Sequence, residues 1–266
     1  MSALPLFFQD VWRDFRQGIQ PLFDKVIQQE TQDWWLEILT TAATPLTYFL
    51  AFGLGLRNYI TQVDGVSYLA FLTPGLITLT IVLEAYRTGA WGMWLDRFLT
   101  GMIDEYRIKP VSTPSILLGN LFGGFVMALA KGALVGLLMM PFSGLSFHPE
   151  HLLPYLSLVF PGCVAFTAVG TMVGSSFRKP DHIANSVVLV ITPLLYMSGL
   201  FFPLHQLPPA LQPYLRWLPT TALFDGGRSA ILTGQIPEAH YLPLLWGFAI
   251  LGFIAATLWF NYKLAE

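Results

Sequence analysis

Between His182 and Leu215 the chain runs for 34 residues without a single Asp, Glu, Lys or Arg. As a helix rising about 1.5 Å per residue, that stretch would be roughly 50 Å long, well beyond the ~30 Å hydrocarbon core of a bilayer. It therefore has to cross and turn back. The prolines of FFPLHQLPPALQPYLRWLP, Phe201 to Pro219, mark the reversal, because each removes a helical hydrogen bond.

Other apolar runs of crossing length surround it. Ile38 to Leu56 and Val66 to Leu83 are each free of formal charge. Ile116 to Met140 is interrupted only by Lys131, and His151 to about Ser176 and Leu242 to Tyr262 complete the set. With a fifth span beginning near Ile183, six transmembrane helices are expected. The composition agrees: 54% of residues are hydrophobic and 11% charged, against about 25% charged in soluble domains. The fold class is an all-α polytopic membrane protein. The expected organisation is an interface helix in residues 1–35 and a six-span domain in 36–266, with an inner loop at 86–114 and an outer re-entrant helical hairpin at 200–235.

Basic residues are retained on the cytoplasmic side of membranes. With both termini inside, ten of the 14 Lys and Arg fall on inner segments, Lys131 lies in a span, and only Arg57, Arg216 and Arg228 fall in outer loops. The net charge of -2 offers nothing to nucleic acid. The lone Cys163 excludes an internal disulfide. The N-terminus has neither a basic leader nor a cleavage signature, so a removed signal peptide is not expected. Instead Phe8, Val11, Trp12, Phe15, Ile19, Leu22 and Val26 recur at steps of three and four among charged residues such as Asp10 and Arg13. That is an amphipathic helix too charged to span, suited to the cytoplasmic surface, or else a short soluble cap.

Catalytic constellations are missing. The chain has no G-x-x-x-x-G-K-[ST] phosphate loop, no H-E-x-x-H and no G-x-S-x-G, and its five histidines fall at span ends or in loops. It is not expected to be an enzyme or to bind a metal or cofactor directly. Two ionisable groups lie in or beside spans, where charge is a functional signal. Counted from the ends of the apolar runs, Lys131 lies about 24 Å up the third span and Glu84 about 26 Å down the second, near opposite faces. An ion pair between them is not expected; Lys131 would snorkel outward, and Glu84 would meet Arg87 one turn on or serve at the inner mouth. Gly119/Gly123 and Gly132/Gly136 form two G-x-x-x-G pairs, expected to pack helices within one subunit.

The inner segment Tyr86 to Lys109 combines amphipathic WGMWLDRF with polar IDEYRIKP, and Pro110 and Pro114 close it. Aromatics set among charges suit a docking surface. At this point the sequence resembles the permease subunits of type-2 ABC exporters, in the branch that exports drugs, nodulation factors and polysaccharides. YLAFLTPGLI, Tyr68 to Ile77, is similar to the family's FLxPGL signature. GMIDEYRIKPVSTPSILLGN, Gly101 to Asn120, resembles the segment leading from the coupling element into the third span, and Ile191 to Gly234 the fifth span with its hairpin, although Leu218-Pro219 stands where the family has Asn-Pro.

The resemblance implies a bacterial inner-membrane permease that pairs with a second copy and binds two separate ABC ATPase subunits, which hold the ATP and Mg. Asp104, Glu105, Tyr106, Arg107 and Lys109, with Asp10 and Arg13 of the surface helix, are the expected ATPase contacts. Glu84, Phe71 and Tyr196 are candidate pathway or gate positions. A lipid, a lipid-linked glycan or an amphiphilic drug would each suit an aromatic-rich bundle. The rival reading is an ion-coupled secondary transporter, which would call for midplane ionisable groups and internal repeats.

Overall fold

A computed structural model describes residues 19–55, 59–60, 62–101 and 112–265. The chain is mostly helical. A short amphipathic helix α1 (Gln20–Thr31) precedes α2 (Trp34–Tyr48), which continues as a π-helical segment over Phe49–Leu54. A two-stranded antiparallel turn, β1 (Gln62–Val63) and β2 (Val66–Ser67), leads into α3 (Tyr68–Trp94), itself extended by π-helix over Leu95–Leu99. Then come α4 (Thr113–Ser143) and α5 (Leu152–Ser176). A broken helix follows, α6 (Pro180–Ser186), a π segment over Val187–Ile191 and α7 (Thr192–Tyr196); short α8 (Gln212–Leu215), α9 (Pro219–Thr233) and α10 (Tyr241–Ala265) complete the chain.

Among the described residues, four helices are long and apolar enough to cross a membrane: Tyr68–Leu99, Thr113–Ser143, Pro149–Ser176 and Tyr241–Lys263. Where the other two spans are expected, the chain forms helical runs that include π segments, at 34–54 and 180–196. Local chemistry sets several boundaries. The Ser67 hydroxyl accepts from the Ala70 amide at 3.2 Å and caps α3. Pro114 occupies the first turn of α4, and Gly144 and Gly234 close α4 and α9 in the left-handed conformation that glycine adopts without strain.

Helix α3 is the central post, with 89% of its apolar window buried, whereas α10 at the rim buries 17%. Glycines decide how closely its neighbours approach. A Cβ on Gly132 or Gly136 of α4 would meet Ile81 or Ile77 of α3, and one on Gly124 would meet Thr88. Residue numbers fall on α3 as they rise on α4, so the pair is antiparallel. Between α3 and α5 the backbones touch: a Cβ on Gly89 would collide with the Thr167 carbonyl, and those on Gly170 and Gly174 with the carbonyls of Tyr86 and Ala90. Gly119 and Gly123 seat Ile19, Leu22 and Val26 of α1, so both G-x-x-x-G pairs pack helices within the chain.

Two expectations need correction here. Helix α3 does not end near Leu83; Tyr86, Ala90, Met93 and Asp96 are all buried, so the break expected at Tyr86 is absent and the span runs on through the WGMWLDRF segment. Arg228 is not in a loop but buried within α9. After α7 the chain turns at Gly199, which has φ +88, and Leu200 and Phe201 are buried.

Candidate functional site

The register of α3 against α4 places Glu84 beside Lys131. Lys131 Nζ lies 2.9 Å from Glu84 Oε1, which corrects the expectation that the two lie near opposite faces. The ends of the apolar runs misplace the depth: α3 extends about ten residues past Glu84 as α-helix and further as π-helix, so both side chains reach the same level. Glu84 also accepts from Arg87, Nε to Oε2 at 3.0 Å and Nη2 to Oε1 at 2.8 Å, which is the pairing expected one turn on. Glu37 of α2 completes the group, 3.0 Å from Lys131 Nζ and 3.9 Å from Arg87 Nη2.

This cluster ties three helices together. A lysine buried in an apolar bundle is tolerable only when carboxylates replace its water, and Lys131 has two. The members differ in access: the side chains of Glu84 and Lys131 are 8% and 7% exposed, those of Glu37 and Arg87 32% and 38%. Beside them a cleft of about 370 Å³ opens between α2 and α3. Glu37, Glu84 and Arg87 line it together with Thr40, Thr41, Thr44 and Thr80, and Pro45, Leu79 and Leu83 supply its hydrocarbon.

Phe71 and Tyr196 belong to a different region, about 20 Å along α3 from Glu84 at 1.5 Å per residue. The Arg228 guanidinium lies over the Phe71 ring at 3.6 Å and donates to the carbonyls of Phe71 (3.0 Å), Gly199 (2.7 Å) and Leu200 (3.1 Å). Tyr196 pairs its hydroxyl with Tyr48 and sets its ring edge-on to Phe201 at 5.2 Å, while the Tyr68 hydroxyl donates to the Phe201 carbonyl at 3.3 Å. Aromatic contacts thus close this end of the bundle. Of the three candidate pathway positions, Phe71 and Tyr196 share this cluster and Glu84 stands apart.

At the opposite end, the WGMWLDRF segment packs inward. Buried Asp96 pairs with Lys25 of α1, Arg97 donates to the Ser175 carbonyl at 3.0 Å, and Trp94 Nε1 donates to the Arg178 carbonyl at 3.1 Å. Asp104, Glu105, Tyr106, Arg107, Lys109, Asp10 and Arg13 lie outside the described residues. Among those described, no group of three or more His, Cys, Asp or Glu could hold a metal ion.

Residues 17–232, most of the chain and every contact just described, match the ABC-2 type transporter family. The chain belongs to the ABC-2 type transporter family. As an ABC-2 permease it is 28% identical over 234 residues to the inner membrane transport permease YadH of Escherichia coli K12, covering 88% of each chain. It is 26% identical over 221 residues to nodulation protein J of Rhizobium meliloti, covering 83% of this chain and 84% of the relative. To nodulation protein J of Rhizobium leguminosarum bv. viciae it is 29% identical over 227 residues, covering 83% and 85%.

Sequence reasoning missed three residues of this permease. Glu37 immediately precedes the first apolar run, and its signal was that position, one turn beyond paired tryptophans. Lys25 has the spacing to face the bundle beside Leu22 and Val26. Arg228 carried no signal, because its partners are backbone carbonyls.

Proposed function

We propose that the chain is the membrane-spanning subunit of an ATP-driven exporter that moves a lipid, a lipid-linked glycan or an amphiphilic drug-like molecule outward, powered by a separate ATPase. Membership of the ABC-2 family and the relatives' description as transport permeases support a transport role. The observation that carries the coupling half of the reading is the junction of α1, α3, α4 and α5. Leu22 and Val26 are seated on Gly119 and Gly123, Lys25 is paired with buried Asp96, and Arg97 is bonded to Ser175. A push on α1 therefore reaches the central post directly, as a subunit whose ATPase docks from the cytoplasm requires.

In this reading six spans cross the bacterial inner membrane with both termini in the cytoplasm, and residues 200–235 form a re-entrant hairpin on the outer side. Two ATPase copies serve a pair of permeases, and hydrolysis belongs to the partner because the chain has no phosphate loop. Asp104, Glu105, Arg107 and Lys109 give the docking its specificity through charge, since like-charge juxtaposition at an interface costs several kcal/mol. Reversing those four charges is expected to leave detergent-extracted yield unchanged while abolishing co-purification of the ATPase and substrate-stimulated hydrolysis. Normal transport by that variant would remove the segment from the mechanism. Orientation is checked with single cysteines: one at Ser112 should be shielded from an impermeant reagent outside intact cells and one at Gln235 labelled, and the reverse pattern would invert the topology.

A further inference from the structure

The cleft between α2 and α3 is lined by groups of two kinds, some already bonded and some not. The charged side chains are engaged with one another: Glu37 and Glu84 both hold Lys131, at 3.0 and 2.9 Å, and Arg87 grips Glu84 through Nε and Nη2. A ligand gains little from ions so bonded. The threonines divide differently. A helical threonine commonly turns its hydroxyl to the carbonyl four residues back, and along these two helices Thr40, Thr47, Thr73 and Thr80 all do so, at 2.8–2.9 Å. Thr41 and Thr44 line the cleft one turn apart on α2, and among the described residues neither hydroxyl has a partner.

That pair of hydroxyls sits at depth. Trp34 and Trp35, at the start of α2, are 65% and 57% exposed, and exposed tryptophans mark the headgroup level of a bilayer. Thr41 and Thr44 come about 9–15 Å further along the helix axis. In a span that level is hydrocarbon, where an unbonded hydroxyl is costly, so two of them lining one cavity call for an occupant that bonds them. The cavity, about 370 Å³, is large against the ~30 Å³ of a water molecule and falls within the roughly 300–1,000 Å³ of small-molecule sites.

Its walls narrow the chemistry. Polar groups and hydrocarbon are interspersed along them, with Leu83 next to Glu84, Thr80 next to Leu79 and Thr44 next to Pro45. A fatty chain laid there leaves the hydroxyls unbonded, and a bare ion lies against hydrocarbon. A sugar ring has the same interleaving, hydroxyls around its edge and C–H on its faces, and each of its hydroxyls can both donate to a threonine and accept from one.

We infer that the cleft binds an uncharged polyhydroxyl headgroup, that of a glycolipid, with ring hydroxyls bonded to Thr41 and Thr44 and a C–H face against Leu79 and Leu83. This deepens the transport reading by naming a headgroup. It rests on that reading for the headgroup's passage outward, whereas binding needs only that α2 lie in the bilayer.

The test uses the purified full chain in octaethylene glycol monododecyl ether, a detergent without a sugar. It is equilibrated with equal amounts of monoglucosyl diacylglycerol, phosphatidylcholine and phosphatidylethanolamine on the same acyl chains, and bound lipid is counted by native mass spectrometry. The glucolipid is expected at roughly ten times the occupancy of either phospholipid, one decade in the dissociation constant. Thr41→Val combined with Thr44→Val keeps the side-chain shape and removes both hydroxyls; it is expected to cut glucolipid occupancy roughly fivefold or more while leaving phospholipid occupancy unchanged. Thr44→Phe, at an exposed position, fills the cleft instead and gives the same loss should the double variant fold poorly. Equal occupancy of the three lipids, or a glucolipid preference that the variants keep, overturns the inference. Adding the ATPase subunit tests passage separately. Hydrolysis stimulated by the glucolipid and lost in the double variant marks cargo, binding without stimulation marks a resident glycolipid, and either result supports the site. Hydrolysis stimulated by another amphiphile while the glucolipid stays unbound overturns the site and leaves the exporter reading standing.

Discussion

Lys131 and Arg228 are both cations buried inside an apolar bundle, and the chain accommodates them in opposite ways. Arg228 is held by three backbone carbonyls and an aromatic face, from α3 and from the turn at Gly199 and Leu200. Lys131 is held by two carboxylates, from α2 and α3. Carbonyls of a folded turn cannot leave without unfolding it, so Arg228 fixes the shape of the reversal after α7. Carboxylates sit on side chains with rotamers to spare, and Glu37 is partly open to its surroundings. One device is permanent; the other can be rearranged.

The largest test of that contrast is Arg228→Met. It removes charge-assisted hydrogen bonds worth about 1.5–3 kcal/mol each and leaves buried carbonyls at the turn, so a loss of about 4–5 kcal/mol is expected, read as a collapse in detergent-extracted yield and in thermal midpoint. Arg228→Lys should rescue little, because an ammonium lacks the planar fork that reaches several carbonyls at once. A normal yield from Arg228→Met would erase the distinction. Next comes Glu84→Leu, which strips Lys131 and Arg87 of their shared partner at an expected cost of about 3 kcal/mol. Adding Lys131→Met should return the protein to within about 1 kcal/mol of the parent, since a buried pair replaced by apolar groups is often close to neutral. If the double variant is as unstable as the single, carboxylate pairing is not what keeps Lys131 in place. The smallest effect is expected for Glu37→Gln, at most about 1 kcal/mol in a melting experiment, because this partner is a third exposed and screening discounts it.

The contrast also explains what could be read in advance. The long apolar runs announce α3, α4, α5 and α10, because crossing a bilayer demands length and hydrophobicity, and both are written residue by residue. The G-x-x-x-G pairs likewise announce close packing, and Gly132 and Gly136 do receive Ile81 and Ile77. The Glu84–Lys131 pair was illegible because it depends on how far one helix slides along another, and that offset is set by contacts spread over many glycines rather than by the ends of hydropathy runs. Arg228 read as an outer loop residue because charge is taken for exposure, and carbonyl partners have no side-chain identity to betray them. Asp96, set among Trp91, Trp94 and Phe98 in a segment that looks made for docking, turns inward to Lys25 for a reason visible only once α1 is laid on α4.

The backbone contact between α3 and α5 at Gly89, Gly170 and Gly174 has a mechanical meaning. Two helices with side chains between them can roll or slip by exchanging rotamers, but two touching main chains have no such bearing. They behave as a single girder, and the bonds of Arg97 to Ser175 at the far end of α5 and of Trp94 to Arg178 just beyond it brace it against torsion. Whatever the molecule does in its working cycle, the girder moves whole. The joints must be found where it borders looser neighbours, along α2 with its partly exposed Glu37 or at the sparsely buried flank of α10.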